Sequence, residues 1–243
     1  MADFTYADIA KMLDHSLLQP TLTDADLEEG CRLARDYDVA SVCIKPYGVR
    51  LAAGLLKCGT VAVGTTIGFP HGGHATAAKV AEAELALADG ARELDMVVNI
   101  GKVLSGDWPC VTQDIRAVVE TAHRAGALVK VIFENCYLAA EHKERLCKIC
   151  GEVAADFVKT STGYGSGGAT DDDLRLMRRC VPSQVRVKAA GGIRTFDRLL
   201  AVRALGVSRV GASATKAILD DCRAFLKGEQ RAGVRAMDTG GGY

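Results

Sequence analysis

Short runs of β-branched and apolar residues alternate along the chain with longer stretches in which apolar positions recur every three or four residues. The short runs predict strands over residues 12–18, 41–45, 60–67, 93–100, 128–134, 157–161, 185–189 and 209–212. The longer stretches predict helices over 23–37, 46–57, 76–88, 107–125, 141–154, 171–179, 196–204 and 213–226. Their starts carry recognisable signals: Thr23-Asp24 as a cap, Pro46 as an opening residue, and Asp107 ahead of Val111, Ile115, Val118, Val119 and Ala122 at helical spacing. Strands that alternate with helices imply parallel β/α units. Eight such units in 243 residues predict a closed (β/α)8 TIM barrel, with an open doubly wound sheet as the alternative. No linker or low-complexity segment interrupts the pattern, so residues 1–243 read as a single domain. A short N-terminal helix is expected before the barrel, and residues 228–243, ending Asp238-Thr239-Gly240-Gly241-Gly242-Tyr243, as a flexible C-terminal tail.

Several charges break this pattern. Strands of a parallel sheet are buried on both faces and normally run near-continuously apolar. Here Lys159 interrupts the sixth strand and Lys188 the seventh, and each strand runs into a glycine turn. Lysine is almost never fully buried unless paired. Asp14, Asp95, Lys130 and Glu134 lie on other strands, near the ends where a barrel carries its active site. Lys130 and Glu134, four apart in one predicted strand, are expected to share a face and to belong to a supporting network.

Two ammonium groups about 4 Å apart at an effective dielectric near 20 repel by about 4 kcal/mol. That suffices to bring one lysine from its usual pKa of about 10.4 toward physiological pH, where its amine can attack a carbonyl. At more than about 8 Å the screened repulsion becomes too weak for this. Two salt-bridged structural lysines are the plainer alternative. Asp95 reads either as an acid/base for a substrate hydroxyl or as a lysine counter-ion. Glycine turns at Gly163, Gly191-Gly192 and Gly211 let backbone N–H groups approach an anion, which suits a phosphorylated substrate.

Three further motifs carry less. Gly163, Gly165 and Gly168 match a GxGxxG, but the strand before it bears Lys159, and Lys188 stands about where a dinucleotide site needs an acid. His71 and His74 have a metal-like spacing without an obvious third ligand. Cys147 and Cys150 form one CxxC inside a helical stretch, which suits neither a zinc site nor a redox motif.

Composition narrows the setting. Thirty basic and thirty acidic residues give a formal net charge of zero, and no run of like charges suggests a nucleic-acid or membrane partner. Charges cut every apolar run short of a membrane span, and the first residues lack the apolar core of a signal peptide. Nine cysteines, an odd number scattered through a full-sized chain, fit reduced thiols in the cytoplasm.

Seven stretches together resemble the deoxyribose-phosphate aldolase family of class I aldolases. They are Leu13-Asp14-His15-Ser16-Leu17-Leu18, Ser41-Val42-Cys43-Ile44, Ile67-Gly68-Phe69-Pro70-His71-Gly72, Glu93-Leu94-Asp95-Met96-Val97, Lys130-Val131-Ile132-Phe133-Glu134, residues 157–163 and residues 187–195. The resemblance implies a barrel that cleaves 2-deoxy-D-ribose 5-phosphate to D-glyceraldehyde 3-phosphate and acetaldehyde, with no metal or other cofactor. By resemblance, Lys159 is the Schiff-base lysine, Lys188 its proton-handling partner and Asp95 the acid/base. Gly163, Gly191, Gly192, Arg194, Gly211 and Ser213 are substrate- and phosphate-binding. Asp14, Cys43, Lys130, Glu134 and Thr162 support them, and Tyr243 matches a terminal tyrosine implicated in proton transfer. A homodimer is the assembly the resemblance suggests. Asn135 and Lys45-Pro46-Tyr47 depart from the commoner family pattern, without touching the catalytic set. A phosphosugar isomerase or epimerase using Asp95 as base, and a non-catalytic phosphosugar-binding protein, are the rival readings.

Overall fold

The eight units close on themselves. In the computed structural model, which describes residues 3–229, the strands pair in parallel around a complete ring from β1 to β8 and back to β1. They are β1 (Leu13–Leu17), β2 (Ser41–Ile44), β3 (Ala62–Ile67), β4 (Glu93–Val97), β5 (Leu128–Ile132), β6 (Phe157–Lys159), β7 (Arg186–Ala190) and β8 (Arg209–Ala212). The helices are α1 (Tyr6–Ala10), α2 (Asp24–Asp36), α3 (Val49–Leu56), α4 (Thr76–Ala88), α5 (Ile100–Leu104), α6 (Trp108–Arg124), α7 (Ala140–Glu152), α8 (Asp171–Cys180), α9 (Phe196–Ala204) and α10 (Thr215–Lys227). The closed ring excludes the open-sheet alternative. Residues 230–243, which hold Tyr243 and all but the first two positions of the expected tail, lie outside the described residues. Gly228, at φ 71°, caps α10 instead of belonging to that tail.

Side chains alternate along each strand, so one set faces the helices and the other the barrel axis. The helix-facing set, including Leu94, Met96, Val129, Val131, Val187 and Val210, is buried and apolar. It packs on the apolar stripes that set the helices' spacing, such as Val111, Ile115 and Val118 of α6. The axial set is polar. Asp14, Asp95, Lys130, Lys159 and Lys188 are each at most 3% exposed. A barrel interior is ordinarily filled by branched aliphatics. Here the axis is filled with charge.

Several predicted boundaries move for local reasons. β4 ends at Val97, because the Asn99 side chain accepts from Lys102 N and starts α5, a short helix the periodicity did not reveal. β5 ends at Ile132, since Glu134 adopts a left-handed backbone (φ 56°) that ends strand alternation. Pro46 opens a 3-10 turn, Pro46–Gly48, before α3 begins. A buried pair outside the barrel, Lys79 to Asp114 at 2.5 Å, ties α4 to α6. Lys79 also donates to the Val97 carbonyl at 2.9 Å, fixing the top of β4.

Candidate active site

Strand register decides which side chains meet. Lys159 stands directly opposite Lys188 on the neighbouring strand, and Asp95 directly opposite Lys130. All four point inward, and one carboxylate gathers three of the amines. Lys159 and Lys188 each donate to Asp95 Oδ2 at 2.7 Å, and Lys130 donates to Oδ1 at 2.8 Å. The two paired ammonium nitrogens are therefore no further apart than twice that 2.7 Å contact, well inside the range in which they perturb each other.

A second carboxylate, Asp14, shares the Lys188 ammonium with Asp95. Its Oδ2 is 2.5 Å from Lys188 Nζ and 3.0 Å from Lys130 Nζ, and its Oδ1 accepts from Ser41 at 2.7 Å and Arg209 at 2.6 Å. Glu93 closes the set, 2.6 Å from Lys130 and 3.0 Å from Arg209. Glu93 and Arg209 escaped the sequence reading. Each lies two residues before a position already singled out, Asp95 and Gly211, and two-residue periodicity places them on the same face.

Three carboxylates thus face four cations in a space closed to solvent. Burying net charge is costly, so the arrangement favours giving up one proton. Lys130 meets three carboxylates, and Lys188 and Arg209 meet two each, whereas Lys159 meets only Asp95. Lys159 is also the most accessible of the three lysines, at 3%. Of the four cations it is the one held by the fewest ion pairs.

Burial is the first cause that pushes the Lys188 ammonium below the usual lysine range, with Lys130 and Lys159 adding to it and Asp14 and Asp95 opposing. Mutual repulsion between the two lysines, the cause expected from sequence, is secondary because the Asp95 oxygen stands between them. Burial also opposes ionisation of Asp95, yet Lys130, Lys159 and Lys188 overcome it and hold the carboxyl far below its usual range. Lys130 goes the other way: Asp14, Asp95 and Glu93 outweigh its burial and hold its ammonium well above the usual lysine value. It is a permanent cation here. Burial, and next Asp95, push the Cys43 thiol up to about 11, so Cys43 is a neutral wall of the site.

Asp14, Cys43, Lys159, Thr162, Lys188 and Gly211 line one small cavity at the C-terminal end of the barrel. Asp95 adjoins it through the Lys159 and Lys188 ammonium groups that it accepts from. Glu134 does not share a strand face with Lys130 as their spacing suggested, because β5 ends at Ile132. Its left-handed backbone turns the carboxylate to Thr162, which donates from both its backbone N and its hydroxyl. Arg194 and Ser213 are exposed on the rim after β7 and β8.

The turns at that rim are built from backbone alone. Gly191 and Gly192 both have φ 84°, and Gly163 has φ 93°. A Cβ on Gly168 would stand 2.5 Å from the Gly191 carbonyl oxygen and 2.7 Å from its carbon, so the loops after β6 and β7 touch through glycine. The GxGxxG pattern is therefore a contact between two loops. Gly168→Ala is expected to displace the Gly191-Gly192 turn and lower kcat/KM by roughly 10²-fold while the circular dichroism spectrum is kept. Steady-state kinetics on the phosphorylated substrate check this.

His15, next to Asp14, faces outward, and its Nδ1 lies 2.9 Å from Thr215 Oγ1 at the start of α10. Burial lowers its pKa from 6.5 to about 4. Between those values the unfolded chain binds a proton that the fold excludes, so stability falls as pH drops through this window, by about 3 kcal/mol in all. Urea midpoints of the wild type and His15→Asn, compared at pH 7 and 4.5, should show a shallower loss in the variant.

Among the described residues no group of three or more His, Cys, Asp or Glu side chains could hold a metal, and no helix is long and apolar enough to cross a membrane. Cys147 and Cys150 are both buried on α7, and burial raises both thiols.

A closed parallel barrel with charged side chains gathered at its C-terminal mouth has the form of a barrel enzyme. The model of the DeoC/LacD family aldolases matches residues 8–220, and the chain belongs to that family. It is 60% identical over 226 residues to the deoxyribose-phosphate aldolase of Rhodopirellula baltica, covering 93% of this chain and 94% of that one. Identity to the deoxyribose-phosphate aldolase of Thermococcus gammatolerans is 49% over 218 residues, covering 89% and 97%. The tetrameric deoxyribose phosphate aldolase structure from Aeropyrum pernix superposes with a TM-score of 0.84 at 29% identity, covering 91% and 93%.

Proposed function

We propose that this enzyme reversibly cleaves 2-deoxy-D-ribose 5-phosphate to D-glyceraldehyde 3-phosphate and acetaldehyde through a Schiff base on Lys159. The observation that carries the reading is the single Asp95 oxygen shared by Lys159 and Lys188 in an interior with one more cation than carboxylates.

The neutral Lys159 amine attacks C1 of the open-chain sugar phosphate, and loss of water leaves an iminium. The C2–C3 bond then breaks, its electron pair moves toward the iminium, and the C3 hydroxyl gives up its proton. Glyceraldehyde 3-phosphate departs, leaving an enamine on Lys159. Protonation at C2 and hydrolysis release acetaldehyde and restore the amine. Lys188, with its depressed proton affinity, and Asp95, bonded to both lysines, are placed to move the protons. Lys130, Glu93 and Arg209 hold that pair in position. The Gly191-Gly192 turn after β7 and the start of the loop after β8, with Arg194 and Ser213, receive the phosphate, while Gly211, inside β8, lines the cavity instead.

We assign the enzyme to deoxyribose-phosphate breakdown in the cytoplasm, a setting supported by nine free cysteines, and to a homodimer as the working assembly. A coupled assay for acetaldehyde tests the reaction. An isomerase or epimerase on the same barrel would turn over the sugar phosphate without releasing acetaldehyde, and a binding protein would do neither.

A further inference from the structure

Glu134 is a buried carboxylate, bonded to a wall of the cavity, that the proposed cycle leaves unused. It is 2% exposed, and its backbone is left-handed at φ 56°, a conformation that residues other than glycine rarely adopt. Residues held this way cluster at active sites. The carboxylate accepts from Thr162 twice, from the backbone N at 3.2 Å and from the hydroxyl. The loop after β6 lies directly on it: a Cβ on Gly165 would stand 2.9 Å from Glu134 Cδ and 3.1 Å from Oε1.

Thr162 in turn lines the cavity with Lys159 and Lys188, a space of about 10 Å³, on the order of one water. Its hydroxyl has one proton and two lone pairs. The proton goes to Glu134, and one lone pair accepts from Tyr164 N at 2.9 Å. Tyr164 is anchored at its far end, where its hydroxyl donates to the Leu18 carbonyl at 2.8 Å. The remaining lone pair can accept from a hydroxyl in the cavity, and a proton taken there displaces the Thr162 proton onto Glu134. Glu134 is also the better acceptor. Burial pushes its carboxyl up, with the two Thr162 hydrogen bonds and Lys159 opposing. Burial acts the same way on Asp14 and Asp95, but there the neighbouring cations prevail and hold both well below the usual carboxylate range. A carboxylate so stabilised is a poor base.

We propose that Glu134, acting through the Thr162 hydroxyl, takes the proton of the substrate's C3 hydroxyl as the C2–C3 bond breaks. The proposal rests on the Lys159 reading. With C1 bound to Lys159, C3 is two bonds from the iminium carbon, which keeps its hydroxyl among the cavity walls. The C2–C3 electron pair moves to the iminium, and the C3–O bond becomes the carbonyl of glyceraldehyde 3-phosphate. The C3 hydroxyl proton passes to Thr162 Oγ1 while the Thr162 proton passes to Glu134. There is no net redox change, and Glu134 returns its proton through Thr162 to water once the product has left. Lys188 and Asp95 keep the protons of imine formation and of C2. Thr162 is the group that touches the substrate, and Glu134 works behind it.

Two reactions separate this role from a structural one. Cleavage of 2-deoxy-D-ribose 5-phosphate needs the C3 hydroxyl proton removed. Hydrogen–deuterium exchange at C2 of free acetaldehyde in D2O passes through the same Lys159 iminium and enamine but involves no C3 hydroxyl. Glyceraldehyde 3-phosphate release in a single turnover, and the exchange rate by NMR, are measured for the wild type, Glu134→Gln, Thr162→Val and Thr162→Ser. Glu134→Gln and Thr162→Val should lower the ratio of cleavage to exchange by about 10²- to 10⁴-fold, the range for loss of a positioned acid or base. Thr162→Ser, which keeps the hydroxyl, should restore most of the ratio. Circular dichroism identifies the folded variants, and the near-isosteric Thr162→Val serves if Glu134→Gln does not fold. An unchanged ratio in the folded variants, whether both rates fall together or neither falls, overturns the proposal while leaving the Lys159 reading intact. A ratio as low in Thr162→Ser as in Thr162→Val overturns it too. Absence of acetaldehyde exchange in the wild type overturns the Lys159 reading first, and this one with it.

Discussion

Lys159→Ala should lose roughly four to six orders of magnitude in kcat while keeping its fold, the scale seen when a covalent nucleophile is removed from an intact site. The variant retains the barrel because Lys159 contributes one ion pair of the network, whereas Lys130 contributes three. Removing it also leaves three carboxylates facing three cations, so the interior stays electrically balanced. Lys159→Arg should not restore activity, since a guanidinium stays protonated and cannot form the imine. Single-turnover measurements with both variants, beside thermal unfolding, separate chemistry from folding. A variant with substantial turnover would remove Lys159 from the mechanism.

Asp95→Asn should damage both properties together. The carboxylate accepts from three ammonium groups and is fully buried. An amide has one oxygen for these donors and turns its NH2 toward the remaining ammonium. Removing one partner of a buried ion pair typically costs about 3–5 kcal/mol, because the other charge is left uncompensated. For a chain of this size that corresponds to a fall in Tm of roughly 10 °C. Loss of a positioned proton carrier adds a fall in kcat of about 10²- to 10⁴-fold.

The pH dependence should change as well. Asp95 is held far below its usual range, so its contribution is fully present above about pH 4 and is lost as the pH falls toward the folded value. The variant lacks that part of the acid sensitivity. Near-wild-type kcat with lowered Tm would make Asp95 a counter-ion and no more.

The barrel was legible because period-2 and period-3.6 segments alternate, and Lys159 and Lys188 stood out as charges in strands that should be apolar. Glu93 and Arg209 were equally legible by alternation from Asp95 and Gly211 but lay at strand starts, where a charge passes for a solvated end. The left-handed turn at Glu134 was not readable, because only backbone geometry shows that alternation stops at Ile132. Lys79 gave no signal either: in an alanine-rich helix it looks like a surface lysine, and only packing reveals Asp114 beside it. The contact from Tyr164 to Leu18 spans 146 residues and appears only once the ring has closed.

Borohydride trapping is the most direct measurement. The protein is incubated with 2-deoxy-D-ribose 5-phosphate and sodium borohydride, digested, and mapped by mass spectrometry. The reduced adduct is expected on the peptide carrying Lys159, in step with loss of activity, and in no control lacking substrate. No adduct, or an adduct on Lys188 or Lys130 with Lys159 unmodified, would contradict a mechanism that runs through Lys159.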